Sequence, residues 1–407
     1  MRRLNLFAII QFQEVRMSAD SINYKNFFEL IGKSKEEVDA RIAQIFDTFF
    51  YGSEDERIYH PAPGDTGYLE DTGNHDARTE GMSYGMMYCV QTGHKEEFDR
   101  IWKWAYTHMW HFPGTDDFNE GYFAWSCGLD GTHNAEGAAP DGEEFFAMSL
   151  FFASHRWGDG EGIFEYSKHA RDILSACLHK GENGRPGVPM WNRENKQILF
   201  VAGIDYTDPS YHLPHFYTLF SKWANEEDRE FFAEAAKVSR EYLVKACHPV
   251  TGMNPEYAEF DGSPMSRPIP WTKDRHDCFY SDSYRTAANI GLDYLWNGID
   301  VGQCAAPLKL LRFLDSQLES GAELMCYEID GTPTDLKALH PVGLIAATIQ
   351  GILAIEREGV SEEDHQLVLR NLQRLWDTPM REGGRRYYDN CLYLFAFLAL
   401  GGQYRIW

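Results

Sequence analysis

The chain has 407 residues, a formal charge of -24 and 43% hydrophobic residues. That apolar share is enough for a sizeable core and excludes global disorder. The negative field argues against nucleic acid and polyanionic substrates, and no apolar run reaches transmembrane length, so a neutral substrate and no membrane partner are expected.

At the N-terminus, MRRLNLFAIIQFQEVRM imitates a signal peptide, but its apolar run is minimal and no small-residue cleavage site follows. Residues 1–22 therefore read as an extension with Met17 as the expected start, and 23–407 as a single catalytic domain. The eight cysteines form no CxxC pair, and several lie in apolar helical runs. That pattern suggests buried thiols and a cytoplasmic location.

Two kinds of helical segment then alternate along the chain. The first kind is amphipathic, beginning with SKEEVDARIAQIFDTFF. There Ser34 and Glu37 make a capping box, and Val38, Ile42, Ile45, Phe46 and Phe49 form one apolar stripe. The second kind is apolar nearly all round, as in EGMSYGMMYCV, DGEEFFAMSLFFASHRW and DNCLYLFAFLAL, and such helices are buried on every side. Six of each alternate strictly, with the apolar ones starting near residues 80, 141, 208, 282, 340 and 389. A long-period helical hairpin repeat of this kind predicts an all-α (α/α)6 barrel, six inner helices ringed by six outer ones.

The starts of the inner helices carry the polar groups: Glu80, Asp141, Asp208 with Tyr211, Asp282, His340 and Asp389. Parallel inner helices bring these to one mouth. Asp208, followed by Pro209, reads mainly as a helix cap, and so does Asp389. Ser281 is the expected cap of FYSDSYRTAANIGLDYLW, leaving Asp282 facing water. Glu80 caps poorly, and a buried unpaired Glu stays protonated. One protonated and one ionised carboxylate across a cleft are the minimum for glycoside hydrolysis.

TEGMSYGMMYCV, APDGEEFFAMSLFFASHRWG and FYSDSYRTAANIGLDYLW, in this order, resemble the three signature segments of glycoside hydrolase family 8. The resemblance extends over nearly the whole chain from about residue 30. It implies an inverting hydrolase on an (α/α)6 barrel, with Glu80 as general acid, Asp282 as general base and Asp141 binding the sugar in subsite -1. Arg285 would orient or pair with Asp282. TDPSYHLPHFY and ALHPVGL resemble segments of the branch that releases xylose from the reducing end of xylo-oligosaccharides. They imply Tyr211 as a holder of the attacking water, and Leu339, His340 and Pro341 as a wall beyond subsite +1. In that branch Ser often follows the wall, where this chain has Val342. Trp125 is the candidate stacking platform, against an ordinary core role.

Neither HLPH nor HMWH carries a HExxH arrangement, and WGDGEGIF follows a helix rather than a strand, so no metal and no cofactor is expected. The expected substrate is a neutral β-1,4-xylo-oligosaccharide. Three alternatives stand beside it. One is an endo-acting family 8 xylanase, β-glucanase or chitosanase. Another is an (α/α)6 sugar epimerase using His212 and His340, and the third is a non-catalytic oligosaccharide-binding barrel.

Overall fold

The structure is a computed structural model that describes residues 22–114, 118–270 and 272–407. The proposed extension and Met17 lie outside the described residues, apart from Ile22. The twelve predicted segments are the twelve α-helices of the described chain. The odd-numbered helices are the amphipathic ones: α1 (Lys35–Tyr51), α3 (Lys95–His108), α5 (Tyr166–His179), α7 (Arg229–Ala246), α9 (Ala305–Glu319) and α11 (Glu362–Asp377). The even-numbered helices are the apolar ones: α2 (Thr79–Thr92), α4 (Pro140–Trp157), α6 (Pro214–Trp223), α8 (Arg285–Asn297), α10 (Pro341–Gln350) and α12 (Arg386–Leu400).

Local chemistry sets the helix ends. In α1, Ser34 Oγ accepts from Glu37 N while Glu37 accepts from Ser34 N, and the predicted stripe from Val38 to Phe49 is buried. Every residue of α12 is buried, as a helix without a polar face must be. Two inner helices begin later than their polar starts suggest. Pro209–Tyr211 forms a separate 3-10 turn, and α6 begins only at Pro214, because a residue preceding proline is driven out of the helical region; Leu213 has ψ 67°. Ser281–Tyr284 forms another 3-10 turn ahead of α8.

The even helices pack in sequence, α2 on α4, α4 on α6 and onward to α12, and α12 packs back on α2. This closes the inner ring of an (α/α)6 barrel. The seven short strands among the described residues all lie in connections and serve the mouth of the barrel. β3 (Ala77–Arg78) pairs with β4 (Ser126–Cys127), which pairs with β5 (His133–Ala135) directly before α2. β6 (Met325–Tyr327) and β7 (Pro333–Lys337) form a hairpin ahead of α10, and Phe279 bridges to Tyr327. β1 (Tyr59–Ala62) and β2 (Thr66–Leu69) form a third sheet. Among the described residues, no helix is long and apolar enough to cross a membrane.

Candidate active site

Each inner helix delivers its polar group to the mouth by a local device. Thr79 N donates to Trp125 O at 3.0 Å, so the β3–β4 pairing sets the first turn of α2 and places Glu80 one residue in. Pro140 at the first position starts α4, with Asp141 next. The start of α8 differs from the expectation. Ser281 does not cap; it sits in the left-handed region at φ 41°. Ser283 takes the capping role, its Oγ accepting from Tyr280 N and donating to Tyr280 O, both at 2.8 Å. The reversal of the chain at Ser281 turns the next side chain, Asp282, toward the cleft.

Arg285 gathers the three acids. Its Nη1 lies 2.9 Å from Asp141 Oδ2 and 3.1 Å from Glu80 Oε2, and its Nη2 lies 3.4 Å from Asp282 Oδ2. Tyr84 Oη accepts from the same Nη1 at 2.8 Å. A planar guanidinium can serve several oxygens at fixed angles, which an ammonium cannot. Glu80 and Asp282 thus lie on different nitrogens of one fork.

The three acids differ in environment. Glu80 is pushed up to about 8, chiefly by burial; the Arg285 cation opposes this, and the Asp282 and Asp141 charges reinforce it. Burial also raises Asp141, against the Arg285 cation. Asp282 is the most exposed, with 27% of its side chain accessible against 16% for Glu80 and 7% for Asp141. The arrangement therefore holds one protonated carboxyl, one carboxyl open to water, and a buried carboxyl–guanidinium pair between them.

Sequence reasoning missed several groups that hold this cluster. Tyr387 of α12 donates to Glu80 Oε1 at 2.8 Å. Glu144, raised by burial well above the usual carboxyl range, lies with Oε1 2.5 Å from Tyr217 Oη. The same hydroxyl lies 2.9 Å from the Tyr211 carbonyl oxygen, so Tyr217 bridges Glu144 and Tyr211. Tyr211 itself lies under Arg285, with the guanidinium 5.4 Å from its ring centre. Glu256 lies near the Asp282 backbone N–H and meets His276 Nδ1 at 2.6 Å. The DGEEFF run, two further acids inside a buried helix, was the one sequence signal for Glu144. Glu256 lies in a loop without a pattern.

The remaining predicted residues also find places. Trp125 is half-buried, with the Arg78 guanidinium 5.2 Å from its ring centre, so it is not an ordinary core tryptophan. Asp208 caps as expected, accepting from Ser210 N at 2.7 Å. Asp389 caps a different helix from its own: Oδ1 accepts from Val342 N at 2.8 Å and Gly343 N at 2.9 Å, at the start of α10. Its Oδ2 holds His340 Nδ1 at 2.9 Å and Arg381. Arg381 also donates to Leu339 O at 2.5 Å, so the whole Leu339–Pro341 loop hangs on Asp389. His212 is buried between Ser239, at 2.9 Å, and Thr207, at 3.1 Å, and burial lowers it to about 3. His212 and His340 thus have separate partners on separate helices, which is no basis for a paired-histidine epimerase site.

The family model for glycosyl hydrolases family 8 matches residues 64–402. A reducing end xylose-releasing exo-oligoxylanase of Halalkalibacterium halodurans is 51% identical over 386 residues, 94% of each chain. The reducing-end xylose-releasing exo-oligoxylanase Rex8A of Paenibacillus barcinonensis is 49% identical over 389 residues, 95% of this chain and 98% of the relative. The structure of Rex8A complexed with xylose superposes with a TM-score of 0.88, covering 94% of this chain and 97% of that one.

Proposed function

Because the chain belongs to family 8 of the glycosyl hydrolases, we propose that it cleaves short β-1,4-xylo-oligosaccharides by inversion, releasing one xylose from the reducing end. The observation that carries the chemistry is the division of labour between Glu80, which keeps its proton to about 8, and the open Asp282 on the other nitrogen of Arg285.

Glu80 gives its proton to the glycosidic oxygen as the bond from that oxygen to C1 breaks. Asp282 takes a proton from a water that attacks C1 on the opposite face, and the new hydroxyl has inverted configuration. Asp282 then returns its proton to solvent, and Glu80 is reprotonated. Asp141, fixed by Arg285, grips the sugar in subsite -1 and favours its distorted form. Tyr211, fixed through Tyr217, helps hold the water. Trp125 supplies an apolar face for a sugar ring. The Leu339–Pro341 loop closes the cleft after one reducing-end sugar, and that closure makes the action exo. A charge of -24 suits a neutral oligosaccharide. Eight buried free cysteines support a cytoplasmic site of action.

The test is a product analysis on xylotetraose labelled at its reducing end. Labelled xylose with unlabelled xylotriose as first products is the expected result. Labelled xylobiose as first product would favour endo action. No cleavage would overturn the substrate assignment and bring cello- and chito-oligosaccharides forward.

A further inference from the structure

We propose that His111, His133 and Glu136 form a binding site for a divalent transition-metal ion of the zinc class. His111 follows α3, His133 opens β5, and Glu136 comes directly after that strand. One possible ligand atom from each lies within 4.8 Å of those of the other two. Two imidazoles and a carboxylate are a donor set that zinc accepts, with a fourth position left for water.

His133 is already held in the orientation a metal ligand needs. Its Nε2 lies 2.6 Å from the His108 carbonyl oxygen. A carbonyl only accepts, so Nε2 carries a ring proton and Nδ1 is the nitrogen turned toward Glu136, 2.7 Å from Oε2. Two acceptors at this distance repel unless a proton or a metal ion stands between them. The bond from Nε2–H to a backbone carbonyl is also the outer contact that orients a metal-ligating imidazole. His111 Nε2 approaches the same carboxyl oxygen at 3.6 Å and the Glu136 carbonyl oxygen at 3.0 Å. In the metal-free chain the same rule puts the His111 ring proton on Nε2, donating to the Glu136 carbonyl oxygen; a metal takes that nitrogen as the proton moves to Nδ1. The Glu136 side chain is 63% exposed and can open the 2.7 Å contact to the spacing set by metal–ligand bonds of about 2.0–2.2 Å.

The position gives such an ion a consequence. Trp125 N donates to Gly137 O at 2.9 Å, and Trp125 O accepts from Thr79 N. An ion joining residue 111 to residues 133 and 136 fastens the strap that carries Trp125 and sets the start of α2.

The experiment is calorimetric titration of the chelator-stripped full chain with zinc chloride, with thermal unfolding measured in parallel. One ion per chain and a raised Tm are expected, because an ion bound only by the folded state stabilises it. Glu136→Gln, on an exposed side chain, is expected to weaken binding at least tenfold. His111→Ala/His133→Ala is expected to abolish the Tm shift. Cobalt(II) is expected to give the visible absorption of a four-coordinate site. No zinc binding by the unmodified chain, or equal binding by Glu136→Gln and the double variant, would overturn the proposal. The proton-only arrangement predicts that result.

Discussion

Tyr387 donates to Glu80 Oε1 at 2.8 Å, and Gly81, beside Glu80, leaves the space for that ring. A Cβ at Gly81 would meet Tyr387 Oη at 2.5 Å. The bond lowers Glu80 against the larger upward effect of burial. Removing it in Tyr387→Phe lets Glu80 rise further, so the alkaline limb of the pH–rate profile moves to higher pH. A loss in kcat of about tenfold is expected from the slackened carboxyl. A limb that stays in place or moves down would mean that Tyr387 does not act on Glu80.

The unmodified chain is expected to lose activity as pH rises through about 8, where Glu80 gives up the proton that the leaving oxygen needs. Glu80→Gln cannot supply it, and kcat on xylotetraose is expected to fall by about 10²–10⁴-fold. A β-xylobiosyl fluoride, whose leaving group needs little protonation, is expected to keep most of its rate in that variant. Equal losses on both substrates would remove Glu80 from the acid role.

The Glu256 carboxyl lies behind Asp282, near its backbone N–H. Glu256→Ala removes that support from the turn, where Ser281 sits at φ 41°. A kcat loss of up to about 100-fold with KM little changed is expected, since a small displacement of a base costs rate before affinity. A rise in KM at unchanged kcat would show that Glu256 serves binding instead.

Asp389 is fully buried and carries His340, Arg381 and two N–H groups of α10. Asp389→Ala strands these partners and is expected to cost about 3–5 kcal/mol in denaturant unfolding. Leu339→Ala leaves the anchor intact and removes only side-chain bulk. It is expected to keep most of the stability while labelled xylobiose joins labelled xylose among the early products. Unchanged products would place the wall elsewhere.

Much of this protein is written in local pattern. The alternation of one-faced and all-apolar helices follows from a 3.6-residue period, and it specified twelve helices and the barrel. The order of Glu80, Asp141 and Asp282 at the starts of the first, second and fourth inner helices, with Arg285 one turn on, was equally legible, because helix starts advertise themselves through neighbouring residues. The Ser281 cap was misjudged. A serine before an acid looks like a cap, and only the chain's reversal there hands that role to Ser283.

By itself, then, the sequence determined the helix inventory, the ring of inner starts and the acids they carry. Only the tertiary structure decided which acid keeps its proton and what holds each one. Burial of Glu80 depends on helices far apart in the chain, and its partners Arg285 and Tyr387 come from α8 and α12. Glu144 reaches Tyr211 through Tyr217, and Asp389 caps a helix other than its own, by contacts that no local period encodes. Periodicity and capping act over a few residues and can be read along the chain; desolvation and cross-helix hydrogen bonds exist only once the barrel has closed.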